Sequence, residues 1–301
     1  MNHDYPERTK GMIDVILDTD TYNEIDDQFA VAYMLHAEEK IRICGITAAP
    51  FLNERAATPG DGMEKSYQEI LKLLTLAGRE DLKKLVFRGA VDYMPDEQTP
   101  ALSDAAKHIV NTARRHTPEH PLYIASIACI TNVASALVMA PDIRDKVVVV
   151  WLGGHARHWP IDDEFNLKQD IPAARVLFGC GVRVVHLPAR GVVDHLSCSK
   201  PELAFWLKGK NPLCDYLYDF TIQTADSYAN GKPWTRVIWD ISAIAWLLDE
   251  DGHMMQDRPE HAPIPQADFH DSFPPDSHLI SYVWQIDRDA VFEDLFRRLT
   301  K

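Results

Sequence analysis

The chain has 301 residues, of which 46% are hydrophobic and 25% charged, with a formal net charge of −14 at pH 7. Those proportions are ordinary for a globular protein long enough to bury a large core without staples. With 45 acidic against 31 basic residues it repels phosphate backbones, so nucleic acid is excluded as a partner, and no apolar run approaches the roughly 20 residues of a membrane span.

The opening residues, MNHDYPERTKG, lack the apolar core of a signal peptide, and a cytoplasmic location is expected. Residues 12–17 read as a strand ending at Asp18, and an amphipathic helix follows from about Asp26. Residues 41–47 form a second strand, 62–77 a helix and 85–87 a short strand. The pattern repeats: helix 102–115, strand 122–126, helix 131–139 with Thr131 as its N-cap, and strand 147–152 ending at Gly153-Gly154. Helix 172–178, strand 182–187 and helices 201–208, 213–228 and 240–248 follow, then strand 279–286 and helix 289–299.

Strands alternating with helices imply βαβ units, and continuous apolar strands imply a sheet covered on both faces. The expected fold is α/β, an open and mainly parallel sheet flanked by helices, with residues 1–301 as one domain. The Pro-rich stretch 259–275 reads as an excursion within it. Five cysteines without a CxxC spacing read as reduced thiols, not as a disulfide framework or zinc site.

Ligands of open α/β sheets bind at the carboxyl ends of strands. The first strand ends in DTDTYNEIDD, so Asp18, Asp20, Asp26 and Asp27 converge there. A cation neutralises such a cluster, and carboxylate oxygens suit calcium or magnesium. A lone strand-end Asp or N-cap Asp is commonly structural, and Asp18 reads as a supporting residue. The fragment alone allows a phosphatase of the haloacid dehalogenase type with Asp18 as nucleophile, although Tyr22 stands where that pattern has Thr or Val.

Four further segments point elsewhere: 124–134 (IASIACITNVA), 149–154 (VVWLGG), Glu164-Phe165-Asn166 with Asp170, and Trp239-Asp240. In order and spacing the chain resembles the inosine–uridine-preferring nucleoside hydrolase superfamily. The resemblance implies calcium bound by Asp20, Asp27, Asp240 and the carbonyl of Ile127, with Asp20 as general base on a water at the metal. It also implies Asp26, Glu164 and Asn166 on the ribose hydroxyls, a nucleoside substrate, and a homo-oligomer, dimer or tetramer. Cleavage of the ribosyl C–N bond would pass through an oxocarbenium-like state that carboxylates stabilise. The chain departs from the family in four places, one being that the Asn expected a few residues before Glu-Phe-Asn is absent, with His158 and Trp159 in that neighbourhood. Two extra residues separate Asp20 from Asp26, so Tyr22, Asn23 and Glu24 could reach the pocket. Asn53 stands one position from the usual Asn. Trp239 replaces a His that in some members protonates the leaving base, and His155, His158, His195, Tyr22 and Trp239 are the candidates for that end of the substrate. A nucleoside binder without turnover is the further alternative.

Overall fold

The structure, a computed structural model, describes residues 5–301. Its strands are β1 (Ile13–Thr19), β2 (Ile41–Ala48), β3 (Val86–Arg88), β4 (Leu122–Ser126), β5 (Val147–Leu152), β6 (Arg183–Leu187), β7 (Ser197–Ser199), β8 (Thr235–Val237), β9 (Met255–His261) and β10 (Leu279–Ile286). Its helices are α1 (Asp27–Leu35), α2 (Pro59–Leu76), α3 (Asp104–Ala113), α4 (Thr131–Met139), α5 (Phe165–Gln169), α6 (Ile171–Gly179), α7 (Lys200–Leu207), α8 (Pro212–Ala229), α9 (Ile241–Leu248) and α10 (Arg288–Leu299). None of the described helices is long and apolar enough to cross a membrane.

Eight strands form one sheet in the order β3-β2-β1-β4-β5-β6-β10-β9, while β7 and β8 make a separate antiparallel pair. All neighbours in the large sheet are parallel except β9 with β10. The pleat sends alternate residues to opposite faces. In β5, Val148, Val150 and Leu152 join the core formed with α1, α9 and α10, and Val147, Val149 and Trp151 join the core under α3, α4 and α6. Strand order reverses between β1 and β4, which opens a crevice at their carboxyl ends.

The expected elements are present, and 122–126, 131–139, 147–152 and 279–286 have the expected bounds. Two details differ. Thr131 does not cap α4: Ile130 holds that position, and the Thr131 hydroxyl donates instead to Asp170 at 2.5 Å. The polar segment MQDRPEH, unassigned from sequence, is the edge strand β9, where one-sided pairing tolerates Pro259 and leaves no apolar signal.

His186 lies on β6 with 5% of its surface exposed, and its Nε2–H donates to the Gly153 carbonyl at 2.7 Å. Burial pushes its pKa down from 6.5 to about 4. The neutral ring's contribution is therefore fully present above pH 6.5 and is lost as pH falls toward 4. From pH 7 to pH 5 that loss is about 2 kcal/mol. Urea unfolding of wild type and His186→Gln at both pH values should show their stability difference shifting by about this amount against wild type; parallel losses would refute it.

Candidate active site

The loop after β1 and the helix α1 supply most of the acidic groups. Asp26 occupies the N-cap of α1, and Asp240 the N-cap of α9, yet neither side chain caps its helix. The Asp26 carboxylate instead accepts the Trp239 N–H at 3.2 Å. Asp27 accepts the Thr19 hydroxyl at 2.5 Å and stands in side-chain contact with Asp240. One oxygen from each of Asp26, Asp27 and Asp240 lies within 4.8 Å of the others, and all three residues are buried. Asp20, 1% exposed, lines the same cavity, and both its oxygens are buried with no hydrogen-bond partner among the described residues.

These carboxyls hold protons more tightly than ordinary carboxylates. Burial and then the charges of Asp27 and Asp26 push Asp20 well up. Burial, then Glu24 and Asp27, does the same to Asp26, and burial with Asp26 and Asp27 to Asp240. Burial raises Asp27 to about 6, although hydrogen bonds from Thr19 and Asp240 hold it down.

Asp18 is different. It is fully buried and accepts Thr47 Oγ1 at 2.6 Å, Ser126 Oγ at 3.2 Å and Asn132 Nδ2 at 2.9 Å. Burial raises it to about 6, those donors opposing. It is not a wall of the cavity. This is a supporting residue, not an exposed nucleophile.

The cavity, about 260 Å³, also meets Ile127 after β4, Glu164 and Asn166 around the start of α5, and Trp239. Glu164 is both a helix cap and a cavity residue: one oxygen accepts Leu167 N–H at 2.9 Å and Gly154 N–H at 3.0 Å. Gly154 adopts φ +77°, which delivers that N–H without a side-chain penalty. Asn166 donates to the Leu152 carbonyl at 3.0 Å.

Four expected residues fall outside the cavity. Asn53 does not line it; its amide donates to Asn23 Oδ1 at 2.6 Å, so the longer first loop turns Asn23 inward where Asn53 was expected. His158 is exposed and off the cavity wall. His195 is likewise exposed, and Tyr22 faces a different groove. His155 does line the cavity, its Nδ1 accepting the Arg190 N–H at 3.3 Å. Burial and then Arg190 push its pKa down to about 4, so it is a neutral N–H donor near pH 7. Asp163, Lys168 and Arg190 line the cavity without having been singled out from sequence. Their signal was position alone: they follow the carboxyl ends of β5 and β6.

The family model for inosine-uridine preferring nucleoside hydrolases matches residues 15–265, and the chain belongs to that family of nucleoside N-ribohydrolases. It is 28% identical over 244 residues to the pyrimidine-specific ribonucleoside hydrolase RihA of Salmonella newport, covering 70% of this chain and 76% of that one. Its fold matches a plant nucleoside hydrolase, PpNRh1, at TM-score 0.73 and 20% identity over 96% of this chain and 99% of the other. A purine-preferring ribonucleoside hydrolase from Gardnerella vaginalis matches at TM-score 0.73 and 19% identity, over 95% and 98%.

Asn132 also receives the Ala90 N–H at 2.9 Å, so Asn132→Leu would leave both that donor and Asp18 short of partners. It should cost about 3 kcal/mol of stability. An unchanged urea midpoint would mean that this support is dispensable.

Proposed function

We propose that this nucleoside hydrolase cleaves the N-glycosidic bond of ribonucleosides to free base and ribose, with calcium held by Asp20, Asp27, Asp240 and the carbonyl of Ile127. The observation that carries this reading is Asp20, whose two buried oxygens have no partner and face other carboxylates. The carboxylates that lie closest together are Asp26, Asp27 and Asp240, and Asp20 lines the same cavity beside them; hard oxygens of this kind fit calcium. Bound there, the ion would supply the charge that lets these carboxyls ionise, orient the sugar diol and acidify water.

Asp20 then takes a proton from the attacking water as general base. Asp26, Glu164 and Asn166 hold the ribose hydroxyls. The carboxylates around the ring stabilise the positive charge that develops as the C–N bond breaks. Trp239 offers the base an aromatic face. His155 supports orientation and not proton donation, because burial keeps it neutral. The phosphatase alternative loses support because all three of Asp18's side-chain partners are internal and it has no face on the cavity.

A panel of purine and pyrimidine ribonucleosides with calcium should yield free base and ribose. Asp20→Ala should lower kcat by about 10²- to 10⁴-fold. Binding without turnover would favour the non-catalytic alternative, and no base release from any nucleoside would overturn the reading.

Chelation should abolish turnover, and calcium should restore it ahead of magnesium. Calcium at about 100 times its Kd should add about 2.7 kcal/mol of stability, read as a higher Tm. Equal restoration by magnesium would remove calcium as the assigned ion.

A further inference from the structure

The cavity has two chemically different ends. Its acidic centre comes from the segment after β1 and from Asp240. Along the sheet, β4, β5 and β6 follow β1 in that order. Strands are spaced by about 4.8 Å, so the segments after β5 and β6 stand roughly 10 to 14 Å from the β1 end. The only cationic side chains on the cavity wall, Lys168 and Arg190, both belong to those segments. Among the described residues neither has a carboxylate partner within ion-pair distance. Lys168 Nζ lies 5.7 Å from the Phe165 ring centre and the Arg190 guanidinium 5.9 Å from that of Trp159. Trp239 stands at the acidic centre, its N–H donating to Asp26 at 3.2 Å, and Glu24 is already paired with Arg236 at 2.5 Å.

A ribose held by its 2′- and 3′-hydroxyls extends C1′ to one side and C4′ to the other. An aromatic face suits the base on C1′. Unpaired cations suit an anion on C5′, and the buried His155 ring adds a neutral N–H donor there. Asp163 and Glu164 are the carboxylates on this part of the wall, with Asp162 and Asp194 behind it on the His155 N–H and the Gly191 N–H; the Asp163 side chain is 56% exposed, stands 3.5 Å from His155 Nε2 and is the group a phosphate would displace there. Solvent screens it, whereas Arg190 and Lys168 would meet a phosphate at contact distance.

We infer that the β5–β6 end of the cavity is a 5′-phosphate subsite, so that the chain takes ribonucleoside 5′-monophosphates, with Arg190 and Lys168 pairing the phosphate oxygens and His155 Nε2–H donating to one of them. The inference rests on the ribose-binding reading above. The hydrolysis it adds is the same bond cleavage, with water adding to C1′ and the free base and ribose 5-phosphate leaving.

The test is calorimetry of the full chain in calcium with ribose and with ribose 5-phosphate. Wild type should bind ribose 5-phosphate about 10-fold or more tightly than ribose, and the preference should weaken with added salt. The double variant Arg190→Met, Lys168→Met changes two exposed side chains and should bring the ratio close to one. Equal affinities in wild type, or a ratio that survives the double variant, would overturn the subsite. Release of base from uridine and uridine 5′-monophosphate separates the two readings. Cleavage of uridine with no gain for the monophosphate sinks the subsite and leaves the nucleosidase. Cleavage of neither leaves the nucleosidase to be decided by the purine and pyrimidine panel, and the binding ratio decides the subsite.

Discussion

The structure turns on the repulsion between buried carboxylates. Oxygens of Asp26, Asp27 and Asp240 lie within 4.8 Å of one another. At that spacing and an effective dielectric of about 20, each ionised pair repels by about 3.5 kcal/mol, and three pairs approach the roughly 5–15 kcal/mol stability of an entire protein. The chain relieves part of this itself. Thr19 donates to Asp27, and the Trp239 N–H donates to Asp26. Asp20 receives no such relief. A cation is the remaining means of ionising it, which is why the metal reading and the general-base reading stand or fall together.

Asp18 shows how the fold carries that load. Its three donors come from β2, β4 and α4, the elements that surround β1. One buried carboxylate thereby ties the central strand to both neighbours directly beneath the site. The loop over β5 is fixed in a comparable way. Asp162 accepts the His155 N–H at 2.6 Å while its own N–H donates to the Phe269 carbonyl at 2.8 Å. The Pro-rich excursion thus braces the segment that carries His155 and Glu164, although no residue of it lines the acidic cavity.

Much of this was legible in the sequence because it is local. An apolar run ending in Asp18-Thr19-Asp20 sets both the strand and the place of the acids, and Asp240 before an apolar helix marks the other wall. What was not legible depends on side-chain direction. A sequence cannot show that the N-cap aspartates Asp26 and Asp240 decline to cap, nor that Glu164 caps and lines the cavity at once. Asn53 and Asn23 are interchangeable in a string, and only the bulge of the long loop decides which faces inward. β9 was invisible for a different reason: an edge strand needs no apolar face to be paired.

The replacement of a His by Trp239 has a consequence for where catalysis must come from. An indole N–H gives up no proton near neutrality, and His155 is held neutral by burial. Neither group supplies a strong acid to the departing base. On the proposed reading the barrier is lowered mainly at the sugar, where the carboxylates would stabilise the positive ring. A site that works on the sugar has little reason to discriminate among bases through proton donation, and stacking on Trp239 is tolerant because every base has an aromatic face. On that reading selectivity is best built into the other substituent of the ribose, and the cavity's only cations among the described residues, Lys168 and Arg190, belong to the segments after β5 and β6.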